Sequence, residues 1–231
     1  MKILAIIGSP KGKESTEFEV LNDIQTNLNV LTDTLDIINL SEMEITDSDG
    51  SGNEFYTGKS LLNDDMHLIE EKMNEADVLI LSSPVYAHAI SAHMKRFIDR
   101  ISYWMHLFKL SGKFGYILSV SSNNGNDKVN DYLRDIMEYL GLSIIGETSI
   151  RTADICDENA LKSYSRYIYN QLKFNKATNI SFEQEKKFNT FKTKFSLDTS
   201  DTVERKYWIE NDMINYKSFE EYFNSRIKNE D

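Results

Sequence analysis

The sequence predicts an α/β protein: a doubly wound parallel sheet of five strands, followed by a C-terminal helical extension. Three observations carry that expectation. Short apolar runs alternate five times with stretches whose apolar residues recur at helical spacing, and such alternation implies βαβ units around a parallel sheet. The short runs are apolar throughout rather than at every second residue, as expected of strands covered on both faces. The only two prolines, Pro10 and Pro84, each follow one of these runs, and a proline there stiffens the loop at a strand's carboxyl end.

Taken in order, Lys2–Gly8 (KILAIIG) reads as the first strand, an apolar run closed by glycine. From Ser15 onward Phe18, Leu21, Ile24 and Leu28 share one helix face, and Leu35–Leu40 turns extended again. Asp64–Glu75 predicts a helix that carries Met66, Ile69 and Met73 inward, and Val78–Ser82 the strand after it. Met94, Phe97, Ile98 and Ile101 form the next stripe, Phe114–Val120 the fourth strand and Val129–Leu140 a helix. Gly141 stands where a helix-terminating glycine belongs. A strand over Leu142–Ile150 and a helix over Asp157–Phe174 complete the alternation, so the core domain is expected to span residues 1–176.

Two stretches break the rhythm. Glu42–Asn63 is polar and contains glycine, the composition of a long loop, either functional or disordered. The tail, residues 177–231, is rich in aromatics, with Phe188, Phe191 and Phe195 at helical spacing, then Tyr207 and Trp208, then a capping box at Ser218 and Glu221 ahead of Phe219, Tyr222, Phe223 and Ile227. So many aromatic side chains need a covering surface, and the tail is expected to reach across to the second subunit of a homodimer or dimer of dimers, the chain's own domain being the alternative cover.

Composition narrows the function. A length of 231 residues suits one α/β domain with an appendage, and 40% hydrophobic residues exclude global disorder. A net charge of −11 opposes adhesion to nucleic acid or an anionic membrane, so neither partner is expected. No apolar run reaches membrane-spanning length and no signal peptide is seen, which makes the cytoplasm the expected location. The single cysteine, Cys156, can form neither an internal disulfide nor a cysteine-ligated cluster. His88, His93 and His106 lack ligand spacing, and no metal site is expected.

The chemistry concentrates in two loops. Gly8-Ser9-Pro10-Lys11-Gly12-Lys13-Glu14-Ser15-Thr16 joins the first strand to the first helix. Helix-start amides, the hydroxyls of Ser9, Ser15 and Thr16 and the Lys11 charge supply donors for a phosphate, while an ordinary turn capped by Ser15 or Thr16 is the alternative. The loop is neither GxGxxG nor GxxxxGK[ST], so a mononucleotide phosphate suits it better than a dinucleotide. The second loop, Ser82-Ser83-Pro84-Val85-Tyr86-Ala87-His88, leads into SAHMKRFIDR. Together GSPKGKEST and SSPVYAHAISAHMKRFIDR, with Asp64–Met66 and Ala76–Asp77 in matching places, resemble the NADPH-dependent FMN reductase family over about residues 1–175, in particular its branch related to the iron–sulfur flavoproteins.

The resemblance implies a flavodoxin-like fold and an FMN-dependent oxidoreductase that takes hydride from NADPH or NADH and reduces a small acceptor. It implies that Ser9, Lys11, Ser15 and Thr16 hold the flavin phosphate, with Lys11 where the family commonly has arginine. It implies further that Pro84, Val85, Tyr86 and Ala87 lie along the flavin ring, their backbone amides reaching its polar edge. Ser121, Asn123, Asn124 and Gly125 fall in the place of a third flavin loop, in a stretch that matches the family weakly. The cysteine motif of the iron–sulfur branch is missing from Glu42–Asn63. His88 is the one candidate for lining the acceptor pocket, the alternative being a solvated loop histidine. No protein acid or base is expected to act as a catalyst, since the flavin carries the redox chemistry. A non-catalytic electron carrier or an FMN-binding regulatory protein is the alternative function.

Overall fold

The computed structural model describes residues 1–28, 33–175 and 177–227. Five parallel strands, β1 (Lys2–Ile7), β2 (Thr34–Asn39), β3 (Val78–Pro84), β4 (Phe114–Ser121) and β5 (Ser143–Arg151), form one sheet in the order β2-β1-β3-β4-β5. This is the flavodoxin-like order, in which the connections leaving β1 and β3 run to opposite sides and open a crevice beyond their carboxyl ends. Ile7 pairs with both Asn39 and Ser82, and Pro84 pairs with Val120, so the loops carrying Pro10 and Pro84 emerge side by side.

Alternation along the strands sorts the core into two layers. Leu4, Ile6, Leu79, Leu81 and Ile117 pack against α3 (Met66–Glu75), α4 (Ala92–Arg100) and α5 (Asn126–Tyr139). Ile3, Ala5, Ile7, Val78, Ile80 and Leu118 face α1 (Thr16–Leu28) and α6 (Glu158–Phe174). The predicted stripes bury as expected: Leu21 and Ile24 on α1, Met66, Ile69 and Met73 on α3, Met94, Phe97 and Ile98 on α4. The side chain of Leu28 lies outside the described residues. Gly141, at φ +92°, closes α5 as expected: Leu142 N donates to Met137 O and Gly141 N to Glu138 O, each at 3.0 Å.

The Glu42–Asn63 stretch is more structured than a bare loop. It holds a one-turn helix, α2 (Asn53–Thr57), and is fastened by a buried ion pair. Arg100, fully buried at the end of α4, donates to Asp64, to Thr46 O at 2.7 Å and to Ser60 Oγ at 2.7 Å, while Asp64 also accepts the amides of Thr46 and Met66. Asp65 exchanges bonds with Glu44, its carboxylate accepting Glu44 N at 2.8 Å and its amide donating to Glu44 O at 2.9 Å. The paired carboxylates Asp64 and Asp65 are thus the clamp that ties this stretch to α3.

The tail folds onto its own chain. α7 (Phe182–Leu197), α8 (Val203–Glu210) and α9 (Phe219–Arg226) bury Phe188, Phe195, Trp208, Met213, Phe219, Tyr222 and Phe223 around Phe108, which precedes β4. The boundary expected at residue 176 falls on a residue outside those described. The aromatic patch invoked as a reason for a dimer is therefore covered within one subunit, and it supplies no argument for a partner. The capping box is also displaced by one residue: Ser218 Oγ accepts Glu221 N at 3.1 Å, but the Glu221 carboxylate takes the amide of Lys217, not that of Ser218.

Candidate functional site

Three loops meet at the carboxyl edge of the sheet. The first begins at Gly8, whose carbonyl accepts the Ser91 hydroxyl at 2.6 Å, while Ser91 N donates to Ser83 Oγ at 3.0 Å and Ser91 Oγ caps α4 by accepting Met94 N at 3.1 Å. A Cβ on Gly8 would stand 2.8 Å from both Met94 Cβ and Ser91 Oγ, so only glycine allows α4 to approach this closely. Ser91 and Ser83 thereby join the first two loops. Sequence reasoning assigned neither a role, although Ser91 immediately precedes the Met94–Phe97–Ile98 stripe and is legible as a cap.

Ser9 is buried, its hydroxyl accepting Lys11 N at 3.4 Å, and Lys11 is exposed with no ion pair among the described residues. Ser15 is committed to the helix start, donating to Gly12 O at 2.7 Å and accepting Phe18 N at 3.2 Å. Its hydroxyl is thus the cap of α1, and a phosphate there would have to compete with two existing bonds. Thr16 differs: its hydroxyl and amide make no hydrogen bond among the described residues and stand at the positive end of α1.

The second loop is a tight turn. Tyr86 N and Ala89 N each donate to the other's carbonyl at 2.9 Å, and the two central residues, Ala87 at φ +50° and His88 at φ +60°, are both left-handed, the geometry of a type I′ turn. The expectation that backbone amides from Val85 to Ala87 reach a flavin edge is corrected in part. Val85 N donates to Val120 O at 2.7 Å and Tyr86 N is spent on the turn, so Ala87 and His88 carry the amides left unbonded among the described residues. Pro84 is buried as the last residue of β3 and has no N–H to offer. Tyr86, Ala87 and His88 are exposed at the rim.

The third loop approaches the second through Gly125, at φ +90°, where a Cβ would come within 2.8 Å of Val85 Cγ1 and 2.9 Å of His88 Nδ1. Gly125 thus acts by admitting its neighbours. Ser121 is buried and donates to Asn126 Oδ1 at 2.6 Å, and Asn126 Nδ2 reaches Ser119 Oγ at 2.9 Å. The Ser121 hydroxyl is internal scaffolding, while Asn123 and Asn124 are exposed. His106 is drawn away from any site: it lies 2.7 Å from Glu204 and packs between Phe55 and Phe191.

Four buried side-chain atoms at this edge have no partner among the described residues, on Glu17, Asn39, Ser82 and Asn130. Ser82 Oγ, at the end of β3, shares its sheet face with Val78 and Ile80 and so looks toward the α1 side. Glu17 Oε1 is in the first turn of α1. A cleft of about 810 Å³ lies elsewhere, at the amino edge of the sheet between Asp77, Lys109, Lys113, Tyr207 and Arg226. The carboxyl edge is nonetheless the better candidate, because it combines the switch point of the sheet with unspent donors.

The strand order and this edge define a flavodoxin-like α/β protein. Residues 1–153 match the family model of the NADPH-dependent FMN reductases, and the chain belongs to that family. It is 31% identical over 154 residues to an iron–sulfur flavoprotein of Methanosarcina thermophila, spanning 64% of this chain and 79% of that one. Identity to an iron–sulfur flavoprotein of Archaeoglobus fulgidus is 29% over 147 residues, covering 63% of this chain and 66%, just under two thirds, of that relative. Among solved structures, the NAD(P)H:quinone oxidoreductase of Methanothermobacter marburgensis shares the fold with a TM-score of 0.57 at 17% identity, over 77% of this chain and 99% of that one. The family match ends before α6. No helix among the described residues is long and apolar enough to cross a membrane.

Proposed function

We propose that the protein is an FMN-dependent oxidoreductase that accepts hydride from NADPH or NADH and reduces a small acceptor such as a quinone, a nitro or azo compound or a free flavin. The observation that carries this reading is the unspent donor set at the β1–β3 switch point: the Thr16 hydroxyl and amide, the Lys11 charge and the turn amides of Ala87 and His88. Bound FMN would supply two-electron chemistry, taking hydride from a nicotinamide and returning electrons to the acceptor. Thr16 and Lys11 would hold the phosphate, with Ser9 and Ser15 keeping the loop in shape. Pro84 and Val85 would support the ring, and the turn amides would donate to its polar edge. His88, exposed beside them, would line the acceptor's approach. A single cysteine cannot ligate an iron–sulfur cluster, so in this reading electrons pass through flavin alone.

The test is anaerobic mixing of the FMN-loaded protein with NADPH and with NADH while following flavin absorbance. Rapid bleaching by either donor is the expected outcome. An electron carrier would bind FMN yet be reduced by neither at a useful rate, and protein that cannot be reconstituted with FMN would overturn the flavin assignment itself.

A further inference from the structure

Glu17 is out of place in an anion-binding loop. It follows Thr16 in the first turn of α1, where an acidic side chain is usually exposed and complements the helix dipole, but here it is only 2% exposed. Buried carboxylates are normally paired or fully hydrogen-bonded. Glu17 forms no ion pair among the described residues, and its Oε1 has no hydrogen-bond partner. Burial pushes its pKa from 4.5 up to about 7, against the opposing pull of its own amide and of Lys11. Its charge is felt at the second loop: burial and then the Glu17 charge raise the Tyr86 phenol above its ordinary value. Glu17 adjoins Thr16, a donor assigned to the phosphate, and by spacing shares the buried face of α1 with Val20, Leu21 and Ile24, which pack on the sheet.

As a carboxylate, Glu17 would repel a phosphate dianion at the same helix end. As a neutral acid it has an O–H to donate. We infer that Glu17 is a residue of the phosphate subsite that works in its neutral form, donating its O–H to a phosphate oxygen, so that loading of FMN takes up a proton. This rests on the flavin reading above. The proton comes from solvent and no electron moves. The titratable groups that act on or respond to the Glu17 charge are Lys11 in the first loop and Tyr86 in the second. On α6, packed against α1, Lys162 and Arg166 line a separate groove with Asp23, further along α1. The ligand's own phosphate also titrates, with a second pKa near 6, so the residue must be separated from the ligand by mutation.

FMN affinity should be measured by quenching of flavin fluorescence between about pH 6 and about pH 9 for the wild type and for Glu17→Gln, with riboflavin as the phosphate-free probe. In the wild type, affinity for FMN should fall by about tenfold per pH unit once pH exceeds the Glu17 pKa of the free protein. Glu17→Gln, which keeps a donor and cannot ionise, should bind FMN with a nearly flat profile above about pH 7, and riboflavin should show little pH dependence with either protein. Calorimetry of wild-type protein at about pH 8 in two buffers of different ionisation enthalpy should show uptake of nearly one proton per FMN, a readout that needs no variant. Superimposable profiles for wild type and Glu17→Gln, or no proton uptake by the wild type, would overturn the role of Glu17 while leaving FMN binding intact. Failure of both proteins to bind FMN at every pH would instead overturn the flavin reading, and this inference with it.

Discussion

The two edges of the sheet are built in opposite ways. At the amino edge and along the flank of α5, the tail closes an aromatic cluster, and none of its described buried side-chain polar atoms is left without a partner. Trp208 Nε1 donates to His106 O at 2.8 Å, Gln184 Nε2 reaches Glu138 O and Leu142 O at 3.0 and 2.9 Å, and Lys187 bridges Asp135 and Glu138. At the carboxyl edge, polar valence is left over. Of the buried side-chain atoms without a partner, those of Asn39 and Ser82 sit at strand ends and those of Glu17 and Asn130 in the first two turns of the following helices, while Arg100 Nε lies outside this edge and none falls in residues 177–227. The two adjacent left-handed residues Ala87 and His88 are also here. Left-handed non-glycine residues occur on both sides, Phe108 at φ +46° and Asp212 at φ +58° lying by the tail, so it is the unmade hydrogen bonds that set the carboxyl edge apart; they lower stability and collect where a ligand can use them.

If that division holds, the largest stability loss should come from the edge farthest from the loops. Trp208 is fully buried and packs on Phe108, Phe188 and Phe195. Trp208→Ala should cost about 3–5 kcal/mol through the cavity and the orphaned His106 carbonyl, read as a lower urea midpoint. Under conditions where the variant is still folded, its FMN affinity should match wild type. A loss below about 1 kcal/mol would show that the tail contributes little to the fold.

The Arg100–Asp64 pair lies between the two edges in position, and its loss should be of intermediate size. Asp64→Asn leaves a guanidinium buried without its counter-charge, expected to cost about 3 kcal/mol. Burial alone would raise the Asp64 pKa, but bonds from Arg100, Thr46 N and Met66 N outweigh it and hold the value below the ordinary 3.8. A carboxyl lowered on folding stabilises the native state above its ordinary pKa and loses that contribution as pH falls through the lowered value. The wild type should therefore lose stability faster than Asp64→Asn as pH drops below about 4. Parallel acid-denaturation curves would remove Asp64 from the account.

Much of the fold was legible because its signals are local and repeated. The apolar strand runs, the stripes on α1, α3 and α4 and the Gly141 terminator all follow from spacing or from a single backbone demand. The loops were legible as places, since each proline marks a strand end, but the division of labour inside them was not. Ser15 and Thr16 are chemically near-equivalent in sequence, and only the geometry commits Ser15 to capping and leaves Thr16 unspent. Nothing in the sequence sets Glu17 apart from any other first-turn acid, because burial at the end of a sheet is a tertiary property. The covering of the tail aromatics was likewise a choice between two surfaces that composition cannot make, decided by Phe108 before β4. The pairing of Arg100 with Asp64, thirty-six positions away, had no local sign beyond the paired carboxylates themselves.

The smallest expected effect has the opposite sign and tests the comparison most directly. A two-residue type I′ turn is normally built from Asn and Gly, because both central residues need positive φ. This turn uses Ala87 at φ +50° and His88 at φ +60°, and a non-glycine residue in that region costs roughly 1–2 kcal/mol. Ala87→Gly removes the steric penalty but adds freedom to the unfolded chain, an entropy worth about 0.4–1 kcal/mol in the other direction. The net expectation is a stabilisation of about 0.5 kcal/mol, seen as a small rise in urea midpoint. Binding should move the other way. Ala87 and His88 hold the only loop amides in this turn not already bonded, and the Cβ of Ala87 helps fix their direction, so a glycine should loosen the donors and weaken FMN affinity severalfold. If Ala87→Gly instead lowers stability and leaves affinity unchanged, the turn is neither strained nor poised for a ligand, and the carboxyl edge loses one of the features that set it apart from the tail.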